Sequence, residues 1–177
     1  SYKLSSDKIY AGETFDLEFT IKNTSDSTNL QNVQILIKDA GDTATIVPAS
    51  GGSNTLYISK IGKGQSSSQK VSLQTAPDAT AKAYTLNVDF SYESASTNAA
   101  HTANETIAVP ILQKIRLKCD EPTVYDEISY LESSTSMSIR MYNMGRSSVY
   151  NCIVDVEGNG LKLEESYFGG TLSAGST

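Results

Sequence analysis

Phe15-Asp16-Leu17-Glu18-Phe19-Thr20-Ile21-Lys22-Asn23 alternates apolar and polar residues along most of its length. A β-strand turns successive side chains to opposite faces. The run therefore sends Phe15, Leu17, Phe19 and Ile21 one way and Asp16, Glu18 and Thr20 the other. One face is built to be buried and the other to stay wet. Asn23 closes the strand, where a short amide can bond its own backbone and turn the chain.

The same period continues outward from this run. Val33, Ile35 and Ile37 interleave with Gln34 and Lys38, and Tyr84, Leu86, Val88, Phe90 and Tyr92 alternate with Thr85, Asn87, Asp89 and Ser91. Weaker strands are predicted over residues 55–60, 69–75 and 105–111, with a short one near 8–10. That is about seven strands in roughly 110 residues, the count of an immunoglobulin-like sandwich. Clusters rich in Ser, Thr, Asn, Gly and Pro separate them at residues 23–29, 48–53, 62–68 and 77–82. The alanines of residues 76–83 favour helix, but Pro77 and the shortness of the segment predict a crossover loop.

An internal repeat orders the whole chain. Phe19-Thr20-Ile21-Lys22-Asn23 reads against Ile139-Arg140-Met141-Tyr142-Asn143. Leu30-Gln31-Asn32-Val33-Gln34-Ile35 reads against Val149-Tyr150-Asn151-Cys152-Ile153-Val154, and Ile61-Gly62-Lys63-Gly64-Gln65-Ser66 against Leu172-Ser173-Ala174-Gly175-Ser176-Thr177. Three segments recur in one order, so the fold is read as all-β, in tandem immunoglobulin-like sandwiches. The first spans residues 1–112. Residues 113–177 form a partial second copy that reaches Thr177 where the fifth strand of the first copy would begin. Half a sandwich exposes an apolar face and bare strand edges. The expectation is therefore a fragment of a longer chain, or a sheet completed by a second molecule.

Composition agrees. In 177 residues hydrophobic types make up 38%, Trp is absent, and Tyr (10) outnumbers Phe (4). Tyr and Thr suit pleated, half-wet surfaces, where a ring or methyl packs and the hydroxyl stays solvated. The net charge of −6 is interspersed rather than blocked. An acidic field repels phosphate backbones and anionic lipid, which argues against nucleic-acid and membrane-surface partners. No run approaches the length of a membrane-spanning apolar segment, so no direct membrane insertion is expected.

Tyr10-Ala11-Gly12-Glu13-Thr14-Phe15, followed by Phe19-Thr20-Ile21-Lys22-Asn23, resembles the opening of bacterial and archaeal CARDB/NEW3-like, S-layer-associated adhesion modules. Ile61-Gly62-Lys63-Gly64 resembles their mid-domain turn. Pro77-Asp78-Ala79 with Ala83-Tyr84-Thr85-Leu86 resembles their approach to the sixth strand. Asp126-Glu127-Ile128 stands in the second copy where the first has Gly-Glu-Thr. The resemblance implies tandem spacers in exported or surface-anchored proteins, hence an extracellular or cell-surface location, and it specifies fold rather than ligand.

The motif residues also have physical readings. Gly12, Gly64 and Gly175 suit tight turns, Asn23 and Asn143 end strands, and Tyr84 stands where a tyrosine corner ties down a crossover loop. His101, the single histidine, falls in a polar loop predicted over residues 94–104, with no metal partners and no Gly-x-Ser-x-Gly elbow. Cys119 and Cys152 both fall on inward phases, which leaves open a disulfide or two buried thiols. The acidic pairs Asp120-Glu121, Asp126-Glu127 and Glu164-Glu165 lack a calcium-loop pattern and read as a solvated face, with Asp120 or Glu121 weighed as a weak calcium ligand. Asp39-Ala40-Gly41-Asp42 is too sparse for one. Gly51-Gly52 and Gly169-Gly170 lack the Lys-Ser/Thr of a phosphate loop. Lys22, Lys38 and Lys82 fall on outward phases, against an intramolecular isopeptide link. Asn23-Thr24-Ser25 and Asn104-Glu105-Thr106 match the glycosylation pattern.

The expected function is a non-catalytic structural or adhesive spacer of an exported protein, with no cofactor. Its expected partners are neighbouring domains of a longer chain, cell-wall glycan or another surface protein, with a homodimer through open sheet edges as a further option. The alternative is a carbohydrate- or protein-binding module using Tyr57, Tyr142, Tyr150 or Tyr167. Tyr142 and Tyr150, on outward phases, are its best pair.

Overall fold

A computed structural model describes residues 1–125, 135–158, 161–162 (by their backbone) and 165–177. All regular structure among them is β. The chain divides into two compact units, Ser1–Leu112 and Gln113–Thr177.

Unit 1 contains β1 (Tyr2–Leu4), β2 (Ile9–Tyr10), β3 (Thr14–Lys22), β4 (Leu30–Asp39), β5 (Ile46–Pro48), β6 (Thr55–Ile61), β7 (Ser66–Thr75), β8 (Lys82–Ser94) and β9 (Ala100–Leu112). They form a four-stranded sheet ordered β1-β3-β7-β5 and a five-stranded sheet ordered β2-β9-β8-β4-β6. Within these, β1-β3-β7-β5 and β9-β8-β4 follow the strand order of a constant-type immunoglobulin sandwich, with β2 and β6 added. All neighbours are antiparallel except β2 on β9, which pair in parallel at Ile9↔Ile111 and Tyr10↔Leu112.

Alternation builds the core. Phe15, Leu17, Phe19, Val71 and Leu73 project from one sheet, and Val33, Ile35, Ile37, Leu86, Val88, Ile107 and Val109 from the other. All are buried in one cluster. The sixth-strand approach is held by Tyr84, whose ring packs on this cluster and whose hydroxyl lies 3.2 Å from Thr80 Oγ1 in the crossover loop. Gly12 turns the chain at φ 84°, with Glu13 N donating to Tyr10 O.

Two features depart from the sequence reading. Strands β1 and β5 are too short to show a period. The predicted 94–104 loop is largely strand: β8 and β9 run on as a hairpin past the core, and His101 pairs with Tyr92 across it. Tyr92 still packs against the core from β8, but β9 contributes exposed, mostly polar residues over 100–106, so the apolar signal fades although the ladder continues.

Unit 2 contains β10 (Leu117–Cys119), β11 (Thr123–Val124), β12 (Met137–Ser138), β13 (Met141–Asn143), β14 (Val149–Val154), β15 (Glu157–Gly158), β16 (Leu161–Lys162) and β17 (Tyr167–Leu172). They pair antiparallel as β10–β13, β11–β12, β14–β17 and β15–β16. The second-copy motif Asp126-Glu127-Ile128 lies outside the described residues, as does Glu164.

Candidate functional site

The repeated motifs build one corner twice. Asn23, 3% exposed, donates from Nδ2 to Thr28 O (2.9 Å) and Ile61 O (3.2 Å) and accepts from Ser25 N at Oδ1 (3.0 Å). Asn143, 1% exposed, donates to Ser147 O (2.9 Å) and Leu172 O (2.9 Å) and accepts from Gly145 N (3.0 Å). One amide thus ties the end of one strand to the start of the next and to the end of a third. The backbone agrees: Asn23 N donates to Gln65 O and Asn143 N to Ser176 O. Gly64 and Gly175 take φ 69° and 70°, a left-handed turn that glycine adopts at no steric cost. Asn32 and Asn151 bulge the next strand at φ 52° and 54°.

Register carries the match further. Leu30↔Ile61, Gln34↔Tyr57 and Ile35↔Leu56 on β4–β6 correspond to Val149↔Leu172, Ile153↔Phe168 and Val154↔Tyr167 on β14–β17. The outward residues of unit 2 follow from this correspondence. Cys152 holds the place of buried Val33, while Tyr150, Ile153 and Phe168 hold those of Gln31, Gln34 and Tyr57. These three are 69%, 63% and 63% exposed. They form an apolar, aromatic outer face where unit 1 is mostly polar. The sequence reading singled out Tyr150 but missed Ile153, whose outward phase shows only once the bulge at Asn151 is placed, and Phe168, whose strand is interrupted by the left-handed Gly170.

Tyr142 does not join Tyr150. It lies on β13, in a different sheet from β14, is half-buried, and donates its hydroxyl to Asp120 Oδ2 at 2.6 Å. Arg140 beside it has its pKa raised, first by a hydrogen bond with Tyr142 and further by the charges of Tyr142 and Asp120. The predicted tyrosine pair is therefore two separate features.

The remaining candidates resolve individually. Both cysteines are free: Cys119 is exposed on the short strand β10, a correction to its inward phase, and Cys152 is buried in the β14–β17 sheet. His101 is exposed and stacks on Tyr92 with centroids 5.5 Å apart. Asp39 accepts backbone N–H bonds from Gly41, Thr45 and Ile46, which fixes its loop against β5. Lys22, Lys38 and Lys82 are all exposed; Lys38 meets Asp89 at 3.7 Å and Lys82 lies over the Tyr84 ring. Of the two glycosylation patterns, Asn23 has both amide hydrogens engaged in a buried corner, whereas Asn104 is exposed on β9. No group of three or more metal-ligating side chains occurs among the described residues. No helix long and apolar enough to cross a membrane occurs among the described residues.

No family model matches this chain, and no curated protein does. Among solved structures it is similar to the sporulation control protein Spo0M of Bacillus subtilis, at 7% identity and a TM-score of 0.37, over 81% of this chain and 66% of that one, just under two thirds of its length. It is also similar to a chain of a chaperone–tip adhesin complex of CFA/I fimbriae biogenesis, at 12% identity and a TM-score of 0.29, over 99% of this chain and 83% of that one. Likenesses this low carry no argument.

Proposed function

We propose that this chain is a non-catalytic structural or adhesive spacer of an exported or cell-surface protein, related to the CARDB/NEW3-like adhesion modules. The observation that carries the reading is the double corner: two successive units share its side-chain bonds, its left-handed glycine and its strand register. Two successive copies of one strand-joining device are what a tandem array of like modules carries, and the device itself is structural rather than chemical.

Labelling intact source cells with a membrane-impermeant amine reagent tests the proposal. Exposed lysines such as Lys22 and Lys63 should be modified before lysis. Labelling that appears only after lysis would remove the surface role. A second reading, a protein-binding module, is favoured by the outer face of Tyr150, Ile153 and Phe168, since apolar side chains grouped on a soluble surface mark contact sites. Pull-down of a partner that is lost in Phe168→Ser would move the assignment there.

A further inference from the structure

We propose that the outer face of the five-stranded sheet in unit 1 binds a neutral, polyhydroxylated glycan chain. Register aligns Tyr57, Gln34, Ser91 and Thr102 in one row across β6, β4, β8 and β9. Three inter-strand steps make that row roughly 14 Å long. The next row brings Asp89 beside Asn104, again as cross-strand partners. The inward neighbours Ile35 and Val88 are fully buried, so these side chains face outward. Together they line much of a shallow depression of about 390 Å³ across β4, β8 and β9, with Tyr57 at one end of the row.

Its chemistry selects the ligand class. Two amides and two hydroxyls can each donate and accept, which matches a surface of sugar hydroxyls. Leu36, the cross-strand partner of Asp89 in the same depression, offers apolar contact to the C–H face of a pyranose ring. Tyr57 is 61% exposed, and its hydroxyl donates to Asn32 Oδ1 at 2.8 Å, which steadies the ring at the end of the row. A purely apolar ligand would leave the amides and hydroxyls unpaired. A polyanion would meet Asp89 and a chain of net charge −6. In unit 2, Ile153 and Phe168 replace Gln34 and Tyr57 at the matching positions, so unit 2 serves as an internal control that should not bind the same ligand.

The test is an amide-resolved NMR titration of the whole chain with cellohexaose, maltohexaose, mannohexaose and chitohexaose. At least one should shift the signals of Gln34, Asp89, Ser91, Thr102 and Asn104, with a Kd of about 1 mM or tighter. Gln34→Ala combined with Asn104→Ala should weaken that binding about tenfold or more, whereas Ser68→Ala, on the other sheet, should not. If the double variant unfolds unit 1, Thr102→Ala at an exposed position should still weaken binding roughly threefold. Absence of shifts with all four hexasaccharides overturns the proposal. So do shifts confined to β14–β17, which would assign binding to the Tyr150 face instead.

Discussion

Unit 1 and unit 2 close the same corner over different interiors. In unit 1 the residues next to the corner, such as Phe19, Val33 and Ile61, belong to a core contributed by both sheets. In unit 2 their equivalents Ile139 and Leu172 are half-buried, and Cys152 is the one buried apolar residue among those described. Strand pairing shows why. β4 is flanked by β6 and β8, and β3 by β1 and β7, whereas among the described residues β14 pairs only with β17 and β13 only with β10. The corner needs only three strand ends, which one amide and a few backbone bonds tie together in each unit. The core is non-local and depends on strands contributed from far along the chain.

That contrast is tested most severely by emptying equivalent inward positions. Ile35 is fully buried between Leu56 and Phe90, so Ile35→Ala should cost about 2–5 kcal/mol. Val154, its counterpart, is only half-buried, and Val154→Ala should cost under about 1.5 kcal/mol. Urea unfolding followed by separate amide signals of each unit reads both. Equal losses would mean that the interior of unit 2 is as closed in solution as that of unit 1.

The corner should behave the opposite way. Asn23→Ala strands the carbonyls of Thr28 and Ile61 and the amide of Ser25. Asn143→Ala does the same to Ser147, Leu172 and Gly145. Each should cost about 2–3 kcal/mol, the penalty for leaving buried polar groups unpaired. If Asn143→Ala proves nearly neutral, the corner draws its strength from the surrounding core and the equivalence of the two units is geometric only.

Most of the fold was legible because its signals are local. The alternation of Phe15–Ile21 and Tyr84–Tyr92 follows from strand geometry alone, and the Asn and Gly of the corner announce a turn without tertiary help. What could not be read depends on distant contacts. β5 has three residues and no period of its own; it exists because β7 pairs with it. The hairpin extension carrying His101 shows no apolar phase on β9, because its residues 100–106 are exposed and it is held by pairing with β8. At the site, Tyr150 was legible as an outward aromatic, but its neighbours Ile153 and Phe168 were not. A bulge at Asn151 shifts Ile153 to the other face, and the left-handed Gly170 breaks the period of the strand that carries Phe168. Cys119 and Cys152 illustrate the same limit: both sat on inward phases, yet they lie on strands of separate sheets.

A smaller effect isolates the backbone of the corner. Gly64 and Gly175 share their φ within a degree, and an added Cβ at either would meet nothing within 4 Å. Alanine at each should therefore cost only the conformational penalty of a left-handed residue, about 1–2 kcal/mol, and the same in both units. Calorimetry on the two single variants sharpens the comparison, since unequal costs would show that one turn is held by contacts the other lacks.

The smallest expected effect is electrostatic and belongs to unit 1 alone. Asp16 has its pKa held below the usual carboxylate value, first by its hydrogen bond with Lys70, 2.7 Å away, and then by Ser72. Lys70 is raised in turn by Asp16. A depressed folded pKa means that the Asp16 contribution is fully present above the ordinary carboxyl value of 3.8 and is lost as pH falls through the folded value. The raised Lys70 contribution is present below 10.5 and is lost as pH rises through its folded value. The pair therefore supports unit 1 across the whole neutral range and releases it at both extremes. Both groups are solvent-accessible, so salt should shrink the effect. Repeat alignment places Ser136 at the matching position in unit 2, which should have no such acid limb. The stability gap between the parent and Asp16→Asn, followed on unit 1 signals, should narrow as pH drops from about 6 to about 2 and as ionic strength rises toward about 1 M. A gap unchanged by both would mean that Asp16 acts through its bond to Ser72 rather than through its charge.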